Sequence, residues 1–561
     1  MILIYAIDIV ATLIVVYLAL RGGIERALPA FCFILVIVPS ESVIHLGDWF
    51  ALTVDRILIV VLVALYFLLR SGAPRLAGVG SPIGILIVFH IIWSAISTAH
   101  SVVPLISFKA ATAQAVEYYV IYFIFTHSLT TTKTIHRIIG AVVAAVAICS
   151  VIGAYEAYTS WVMVQSWFPP VEYRFYATFA DIERGARGRA SFPHPILLGS
   201  AIALAIPMAL YLLTVVKQRL QRILLWIGTM VMFMALYKTM SRGPWLALGI
   251  SLAVLLLCGA RMTRKHILAI IGLALFVLIT RPGVWDTLSS LYTSTLDPET
   301  PAGMSYYYRY SLYDAAFKAV NMNVERQLWG YGPESFYYLH LVGKYMGKPT
   351  KIDSCDSAWV EIMVDTGYVG LALSVAIMFV PAFFALKNWL GVKGRDRHLL
   401  LLILVNMLAY YFMMIGVMLY GWGQQTYILW FLISISVVYP AILKQNAKRH
   451  AATVAQTSPP PPARSSFPPW GGSSSNSGTQ DRRLPPDVGD VGVRDDDPRC
   501  PRGQADRLRV PHARRDWALR DLVATLAVPP QCRSRFLLDD CEVAIAGIVP
   551  IRPSGCARRI S

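Results

Sequence analysis

The feature that most constrains this chain is a series of apolar runs, most of them roughly 15–22 residues long. A helix of this length can cross a bilayer core of about 30 Å. Hydrophobic residues make up 56% of the chain and charged residues 15%, whereas about 25% of a typical soluble domain is charged. This pattern predicts an all-α polytopic integral membrane protein. It argues against a water-soluble enzyme with a single core and excludes disorder over the whole chain.

Thirteen runs are predicted to span the membrane, and because several are short we expect about 12–13 transmembrane helices. Their predicted bounds are 2–20, 27–40, 57–69, 83–97, 110–128, 138–157, 196–216, 223–237, 245–259, 267–280, 366–386, 399–420 and 426–443. Together they predict one polytopic membrane domain over residues 1–449.

The lysines and arginines of the short loops predict the orientation. One set of alternate loops holds 19 of them, and the opposing short loops hold four. Because basic loops stay in the cytoplasm, this split predicts a periplasmic N-terminus and a cytoplasmic C-terminal tail. It also places two long loops, 158–195 and 281–365, on the periplasmic side. The second precedes the last three spans, and loops of that length are usually functional or disordered. Its Tyr, Trp and Gly content favours order.

Residues 450–561 form a different kind of segment. They open with a Pro/Ser/Gly-rich stretch and carry 16 Arg but no Lys. This composition predicts a disordered Pro/Arg-rich tail and also fits a frameshifted or fused reading, which resequencing would test. The tail accounts for +4 of the formal net charge of +17. The rest lies in the membrane domain, where it reports orientation, so no nucleic-acid partner is expected.

Two arginines stand on the predicted periplasmic side next to rigid entries into spans. Arg189 precedes the sequence SFPHP, and Arg242 lies in the sequence SRGPW. An arginine at a helix start can bind a phosphate through two N–H groups. The alternative is that each arginine only anchors its segment at the interface, and the sequence leaves both interpretations open.

The 281–365 loop adds further candidates. Its residues 306–320 predict an amphipathic helix at the interface, with Arg309 and Tyr313 on one face. Carboxylates close to a bilayer are costly unless they are paired or functional, and the loop ends in four of them: Asp353, Asp356, Glu361 and Asp365. We find no zinc or calcium motif, so neither a metal nor a cofactor is expected.

These residue types suit chemistry on a lipid-linked sugar. Arginines can hold a diphosphate, a carboxylate can take a proton from a sugar hydroxyl, and aromatic faces can stack on sugar rings. A lipid-glycan flippase or transporter is the main alternative. It would need polar groups inside the spans, where the candidates are few, and the most notable, Glu117, is predicted to pair with Lys109. A structural or regulatory membrane component is a third class.

Five segments together resemble the O-antigen ligase and Wzy-type polysaccharide polymerase superfamily of bacteria. They are RGRASFPHP, SRGPW, the large loop with Arg309, the turn GYGPESF and the closing DSAWVEIMVDTGYVGL. The resemblance covers roughly residues 50–440 and rests on the order and spacing of the segments, because no single motif is specific.

The resemblance implies a metal-independent, inverting glycosyltransferase at the periplasmic face of the bacterial inner membrane. Its donor would be an oligosaccharide on undecaprenyl diphosphate, and it would work in the bilayer beside a flippase and a chain-length regulator. By this resemblance, Arg309 and Arg242 contact the donor diphosphate and Arg189 assists them. Tyr313 is a further candidate for substrate binding.

One departure from the family pattern bears on the reaction. Ligases typically carry a His-Asn pair about eleven residues before the Gly of the closing motif, and this chain has Asp356-Ser357 there. Asp356 is therefore the candidate catalytic base. The change favours a polymerase of exopolysaccharide or O-antigen over a ligase that transfers glycan to lipid A-core. The same change also fits a protein that has lost its activity.

Overall fold

The structure of the chain is a computed structural model. It describes residues 2–39, 43–46, 50–69, 81–161, 163, 180–181, 185–259, 261–280, 282–297, 299–345, 348–352, 354–394, 396–421 and 423–457. The predicted tail lies outside the described residues, except that the last helix continues past the expected boundary at residue 449 to Thr457.

Helices dominate the described residues. They are α1 (Ile2–Gly22), α2 (Ile24–Ile37), α3 (Val54–Leu68), α4 (Pro82–Ala99), α5 (Pro104–Gln114), a π-helical segment (Ala115–Tyr119), α6 (Val120–Ser128), α7 (Thr132–Thr159), α8 (Pro195–Val215), α9 (Arg219–Lys238), α10 (Arg242–Cys258), α11 (Arg261–Thr280), α12 (Pro282–Leu296), α13 (Pro301–Val320), α14 (Val324–Trp329), α15 (Ala358–Gly391), α16 (Asp396–Met413) and α17 (Gly423–Thr457).

The described strands are short. They form three two-stranded antiparallel sheets: β1 (Val43–Leu46) with β2 (Phe50–Thr53), β3 (Ala180–Asp181) with β4 (Gly185–Ala186), and β5 (Val342–Tyr345) with β6 (Lys348–Lys351).

All thirteen predicted spans overlap helices, although α16 ends at Met413 and the span predicted there extends to residue 420. Within the described part of the chain, nine helices are long and apolar enough to cross a membrane. The other four predicted spans fall on α2, α3, α10 and the run from α5 through the π-helical segment to α6, which are shorter or interrupted. The prediction of an all-α polytopic membrane protein is confirmed.

Helix α8 forms the centre of the bundle and is buried along nearly its whole length. It packs against α7, α9, α10 and α16. Small residues recur along it and let neighbouring backbones approach, as is usual between membrane helices. At Gly199, for example, a Cβ atom would lie 3.1 Å from Thr239 Oγ1 and 3.2 Å from the ring of Pro244. This close contact fixes the α9–α10 hairpin against the start of α8.

The predicted 281–365 loop is a folded unit. We call its described residues from 282 to 357 the cap; they comprise α12, α13, α14, a 3₁₀ turn (Phe336–Tyr338) and the β5–β6 hairpin. Helix α13 begins where the Thr300 side chain accepts a hydrogen bond from Gly303 N and proline occupies the first turn. A separate apolar core stabilises the cap against α15, and it includes Leu312, Ala316, Val320, Phe336, Ile352 and Val364.

The cap docks on α15 at a kink. Gly367 has a φ of 69°, in the left-handed region that favours glycine, and the break frees carbonyl groups of the preceding turn. Tyr331 N donates to Val364 O at 2.9 Å, and Gly332 N donates to Asp365 O at 2.8 Å. The GYGPESF turn of the cap therefore supplies the hydrogen bonds that the interrupted helix lacks.

Helix α4 completes this junction. The Ser97 hydroxyl donates to Trp329 O at 2.7 Å and to Asp365 O at 2.9 Å, and Trp93 Nε1 donates to Thr366 O at 3.0 Å. The Trp93 and Trp329 rings stack with centroids 4.5 Å apart. The kink, the turn and α4 thus form one joint between cap and bundle.

We expect Gly367→Ala to weaken this joint. The new Cβ would lie 2.3 Å from Leu328 O at a positive φ, and left-handed backbone at a non-glycine residue costs about 1–3 kcal/mol. The midpoint of thermal unfolding in detergent should fall, and the cap should become sensitive to protease. The matched control is Gly391→Ala at the other end of α15, where an added Cβ meets nothing within 4 Å. Equal stability of the two variants would contradict the proposed role of the kink.

Candidate functional site

An ion pair joins the cap to the segment that leads into α15. Arg309 Nη2 on α13 lies 3.1 Å from Asp356 Oδ2, and the two side chains are 25% and 33% exposed. The structure therefore brings together two residues that the sequence analysis selected separately. Both remain accessible to a ligand.

Two tyrosines of α13 fix this arrangement. The Tyr308 hydroxyl accepts from Ser354 N and donates to Ser354 O, both at 2.9 Å. The Tyr313 hydroxyl lies 2.6 Å from Ile415 O and 3.1 Å from Ser357 Oγ, and donates to them. Arg309 and Tyr313 face the same side of the helix, as predicted, while Leu312 and Ala316 are buried in the core of the cap.

Arg309 keeps hydrogen-bonding capacity beyond the ion pair. Its Nη1 donates weakly to Ser305 O at 3.4 Å, and its buried Nε has no acceptor among the described residues. A buried N–H without a partner costs about 1–3 kcal/mol. An additional anionic oxygen can therefore bind only at Nη1 or Nη2, which belong to a side chain that is 25% exposed.

Arg242 lies at the start of α10 and donates through Nη1 to Thr295 Oγ1 of α12. Its hairpin is held by Arg187, whose Nε donates to Thr239 O at 2.7 Å and whose Nη2 donates to Ser241 Oγ at 3.0 Å. Arg242 therefore touches the beginning of the cap, whereas Arg309 lies in its second long helix.

Arg189 occupies a buried position, with a side chain that is 2% exposed. Its backbone N and that of Ala190 donate to Glu156 Oε2 at 2.9 and 2.7 Å, and its Nη1 donates to Pro193 O at 3.2 Å. These contacts hold the entry to α8 against the end of α7. Its predicted assistance in substrate binding stays a prediction.

A second group of charged residues was missed by the sequence analysis. Arg56 Nε at the start of α3 donates to Glu117 Oε1 at 2.7 Å, so the partner of Glu117 is Arg56 and not the predicted Lys109. Beside them, the Tyr427 hydroxyl donates to Asp55 Oδ2. Charges inside or near spans are costly and are therefore usually paired or functional. This rule was the only sequence signal for the group.

Glu334 of the GYGPESF turn lies close to this pair. It has a φ of 60°, unusual for a residue other than glycine, and its backbone N donates to Asp365 Oδ2 at 2.7 Å. The side chain is exposed, yet the surrounding protein displaces enough water to raise the pKa of its carboxyl, and Arg56 offsets part of that rise.

Asp365 is the anchor of this turn. Besides Glu334 N, its carboxylate accepts from Ser335 Oγ and Phe336 N, both at 3.2 Å. One turn earlier on α15, Glu361 is 6% exposed. Glu361 interacts electrostatically with Asp365 and Glu334.

An open apolar pocket of ≈ 350 Å³ lies at the surface between α15 and α16. It is lined by Trp359, Val375, Phe379, Leu408, Tyr411, Phe412 and Ile415. Ile415 supplies the carbonyl that Tyr313 binds, and Trp359 follows Asp356 by three positions. Ile415 and Trp359 therefore connect the lining of the apolar pocket to the segments that carry the ion-pair site.

The described side chains of His, Cys, Asp and Glu do not gather into any group that could hold a metal ion. The expected independence of metal stays a prediction.

His194 caps the helix that Arg189 precedes. Its Nδ1 accepts from Ile196 N at 3.1 Å, which requires the neutral ring. Burial, together with Arg187 and Arg189, lowers the pKa of His194 to about 3. His194 is thus a structural residue at neutral pH.

This depressed pKa predicts a pH dependence of stability. The folded protein needs neutral His194, whereas the unfolded chain binds a proton near pH 6.5, so His194 stabilises the fold above that pH and loses this contribution as the pH falls towards 3. At pH 5 the loss is about 2 kcal/mol. His194→Asn, which caps without titrating, should show a smaller fall in unfolding midpoint between pH 7 and pH 5 than the wild type. Identical falls would refute the assignment.

A comparison with family models identifies a region that contains several of the segments on which the resemblance rests. Residues 227–375 match the family model described as O-antigen ligase. A search of curated proteins returns no match. The matched region runs from α9 into α15 and contains the SRGPW hairpin, the cap and the kink, although it is narrower than the predicted range of 50–440. The match confirms that this multi-pass membrane protein resembles the O-antigen ligase and Wzy-type polymerase superfamily.

Proposed function

We propose that this protein polymerises undecaprenyl-diphosphate-linked repeat units into exopolysaccharide or O-antigen at the periplasmic face of the bacterial inner membrane. The observation that carries the proposal is the accessible Arg309–Asp356 ion pair, in which Arg309 keeps further N–H donors, in segments that also contribute to an apolar surface pocket. A lipid diphosphate combines the same two features, an anionic head and an apolar chain.

The donor binds to both the apolar pocket and the ion pair. Its polyprenyl chain lies along the apolar pocket between α15 and α16, and its diphosphate binds the Nη N–H groups of Arg309 that the ion pair leaves unused. Guanidinium groups bind phosphate oxygens through charge-assisted hydrogen bonds. Arg242 supplies a second positive charge at the start of α10, with help from the amide groups of the helix N-terminus, and Arg189 supports this side of the site from its buried position. Tyr313 holds helix α13, which contains Arg309, in position.

The ion pair couples donor binding to chemistry. A diphosphate that competes for Arg309 releases the Asp356 carboxylate, which then accepts the proton of an acceptor hydroxyl. The hydroxyl oxygen bonds to the anomeric carbon as the bond from that carbon to the phosphate oxygen breaks. Undecaprenyl diphosphate leaves, and the anomeric configuration inverts.

Two other functions use the same site differently. A ligase would give the glycan to lipid A-core, but the carboxylate of Asp356 in place of the His-Asn pair favours the polymerase. A flippase would rely on polar groups within the spans. For a polymerase, a flippase and a chain-length regulator are the expected partners.

Deletion of the gene distinguishes these functions. Loss of a polymerase leaves single repeat units on the cell surface, loss of a ligase leaves polymer on the lipid carrier, and loss of a flippase traps units inside. We expect single repeat units.

Complementation of the deletion strain tests the residues. Arg309→Ala and Asp356→Asn should each reduce polymer by roughly 100-fold or more, since loss of one transition-state or acid–base contact has about that effect. The matched control is Lys318→Ala on the same helix, which removes only an exposed pair with Asp314 and should restore normal polymer. Full complementation by both site variants, read on a gel of surface glycan, would rule out this site.

A further inference from the structure

Helix α12, the first element of the cap, is attached to the membrane-spanning bundle near both of its ends. Its first residue, Pro282, follows Thr280 at the end of α11 by two positions, and α11 is one of the helices long and apolar enough to cross a membrane. Near its other end, Thr295 Oγ1 accepts a hydrogen bond from Arg242 Nη1 at the start of α10. Helix α12 therefore connects the end of α11 to the start of α10.

The lengths of α10 and α11 place these two attachment points at the same level. The two helices pack against each other, and α11 begins three residues after α10 ends. They contain 17 and 20 residues and are therefore about 25 and 30 Å long. Because they are joined at one end and are similar in length, their other ends also lie close together. The start of α10 and the end of α11 are thus at the same membrane surface, on the side of the cap.

Helix α12 runs along this surface. From Pro282 to Thr295 a helix advances about 20 Å. If α12 continued in the direction of α11, Thr295 would lie about that distance above the end of α11, far beyond the reach of the Arg242 side chain. Because Arg242 does bind Thr295, the axis of α12 lies across the ends of the spanning helices, close to the plane of the membrane surface.

The most exposed side chains of α12 form an apolar and aromatic stripe. Trp285, Tyr292 and Leu296 are between 60% and 70% exposed, and their spacing of seven and four residues places them on one face of the helix. Trp and Tyr are enriched where a protein meets the membrane–water interface, because each joins an apolar ring to a polar group. The stripe has the composition of a membrane-interface anchor.

The flanks of the stripe differ from each other. On one flank, about 80–140° around the helix axis, lie three exposed polar residues: Asp286, Ser290 and Thr293. On the other flank lies Thr295, which binds Arg242. A helix with an apolar stripe beside a polar side is typical of segments that lie in the membrane interface.

The stripe follows directly on the lipid-facing surface of α11. Leu268, Leu275 and Ile279 of α11 are exposed and repeat the spacing of seven and four residues. In a helix that spans the membrane, exposed apolar side chains face lipid. Only six positions separate Ile279 from Trp285. The bilayer that covers α11 is therefore the nearest partner for the stripe on α12.

We propose that α12 is an interfacial helix whose Trp285, Tyr292 and Leu296 insert into the head-group region of the bilayer on the side of the cap. The partner is phospholipid. This contact goes beyond the proposed function and concerns a different helix from the one predicted at the interface over residues 306–320. Through Thr295, it holds Arg242 at the level of the lipid head groups.

Photolabelling of the full chain in lipid nanodiscs, with one copy in each disc, tests this contact. One sample contains a phosphatidylcholine with a diazirine near the start of its acyl chain, and the other receives a water-soluble diazirine. After irradiation and digestion, mass spectrometry locates the labelled residues. The lipid probe should label Trp285, Tyr292 and Leu296 together with Ile279, and the water-soluble probe should not.

Val342 on β5 is the matched control within the same molecule. It is also apolar and 63% exposed, but its partner on the neighbouring strand is Lys351, and cross-strand partners lie on the same face of a sheet. We expect Val342 to react with the water-soluble probe only. The contact with the bilayer would be overturned if α12 reacted with the water-soluble probe as strongly as Val342. Protection of α12 from both probes would overturn it too, since a protein or a glycan would then cover the stripe.

Two variants test the stripe itself. Tyr292→Asp should abolish lipid labelling of Trp285 and Leu296, because a charged side chain is unfavourable in the apolar part of a bilayer. Thr293→Asp places the same charge on the polar flank of the same helix and should leave the labelling unchanged. In both variants, continued lipid labelling of Ile279 shows that α11 is still inserted. Lipid labelling of α12 that persists in Tyr292→Asp, or that disappears equally in both variants, would refute the proposed face.

Discussion

The docking of the GYGPESF turn on the kink of α15 joins the cap to the bundle through backbone hydrogen bonds. Gly367 breaks the helix, and the freed carbonyls of Val364 and Asp365 accept from the turn. The Asp365 carboxylate in turn accepts from three groups of the turn. Because these groups, apart from Glu334, belong to buried residues, each hydrogen bond is costly to lose. The apolar core of the cap and the hydrogen bond from Tyr313 to Ile415 O reinforce this joint.

Two ion pairs between distant parts of the chain accompany this joint. Arg309 pairs with Asp356, and Arg56 pairs with Glu117. The Arg309 guanidinium keeps N–H groups beyond those that bind Asp356 and Ser305. A site with spare donors suits an anion, which is the basis for assigning the donor diphosphate to Arg309.

Much of the fold could be predicted from local patterns. The spans, the helix over 306–320 and its Arg309 face follow from hydrophobic periodicity, which depends only on neighbours in the chain. The candidate Asp356 followed from a family pattern. The pairing of Arg309 with Asp356, the burial of Arg189 and the pairing of Arg56 with Glu117 could not be predicted, because each depends on contacts between distant parts of the chain. The assignment of Lys109 to Glu117 was wrong for that reason.

By itself, then, the sequence determined that the chain is a multi-pass helical membrane protein with a large ordered loop before its last spans. The physical reason is that a bilayer leaves few options to a chain with such apolar runs. Only the tertiary structure decided which charges meet and which stay unused. Asp365 illustrates this: in sequence it is one of four carboxylates near a span, and only packing shows that it accepts from Glu334 N, Ser335 Oγ and Phe336 N. Which charged side chains lie next to each other depends on how the helices and the cap pack against one another.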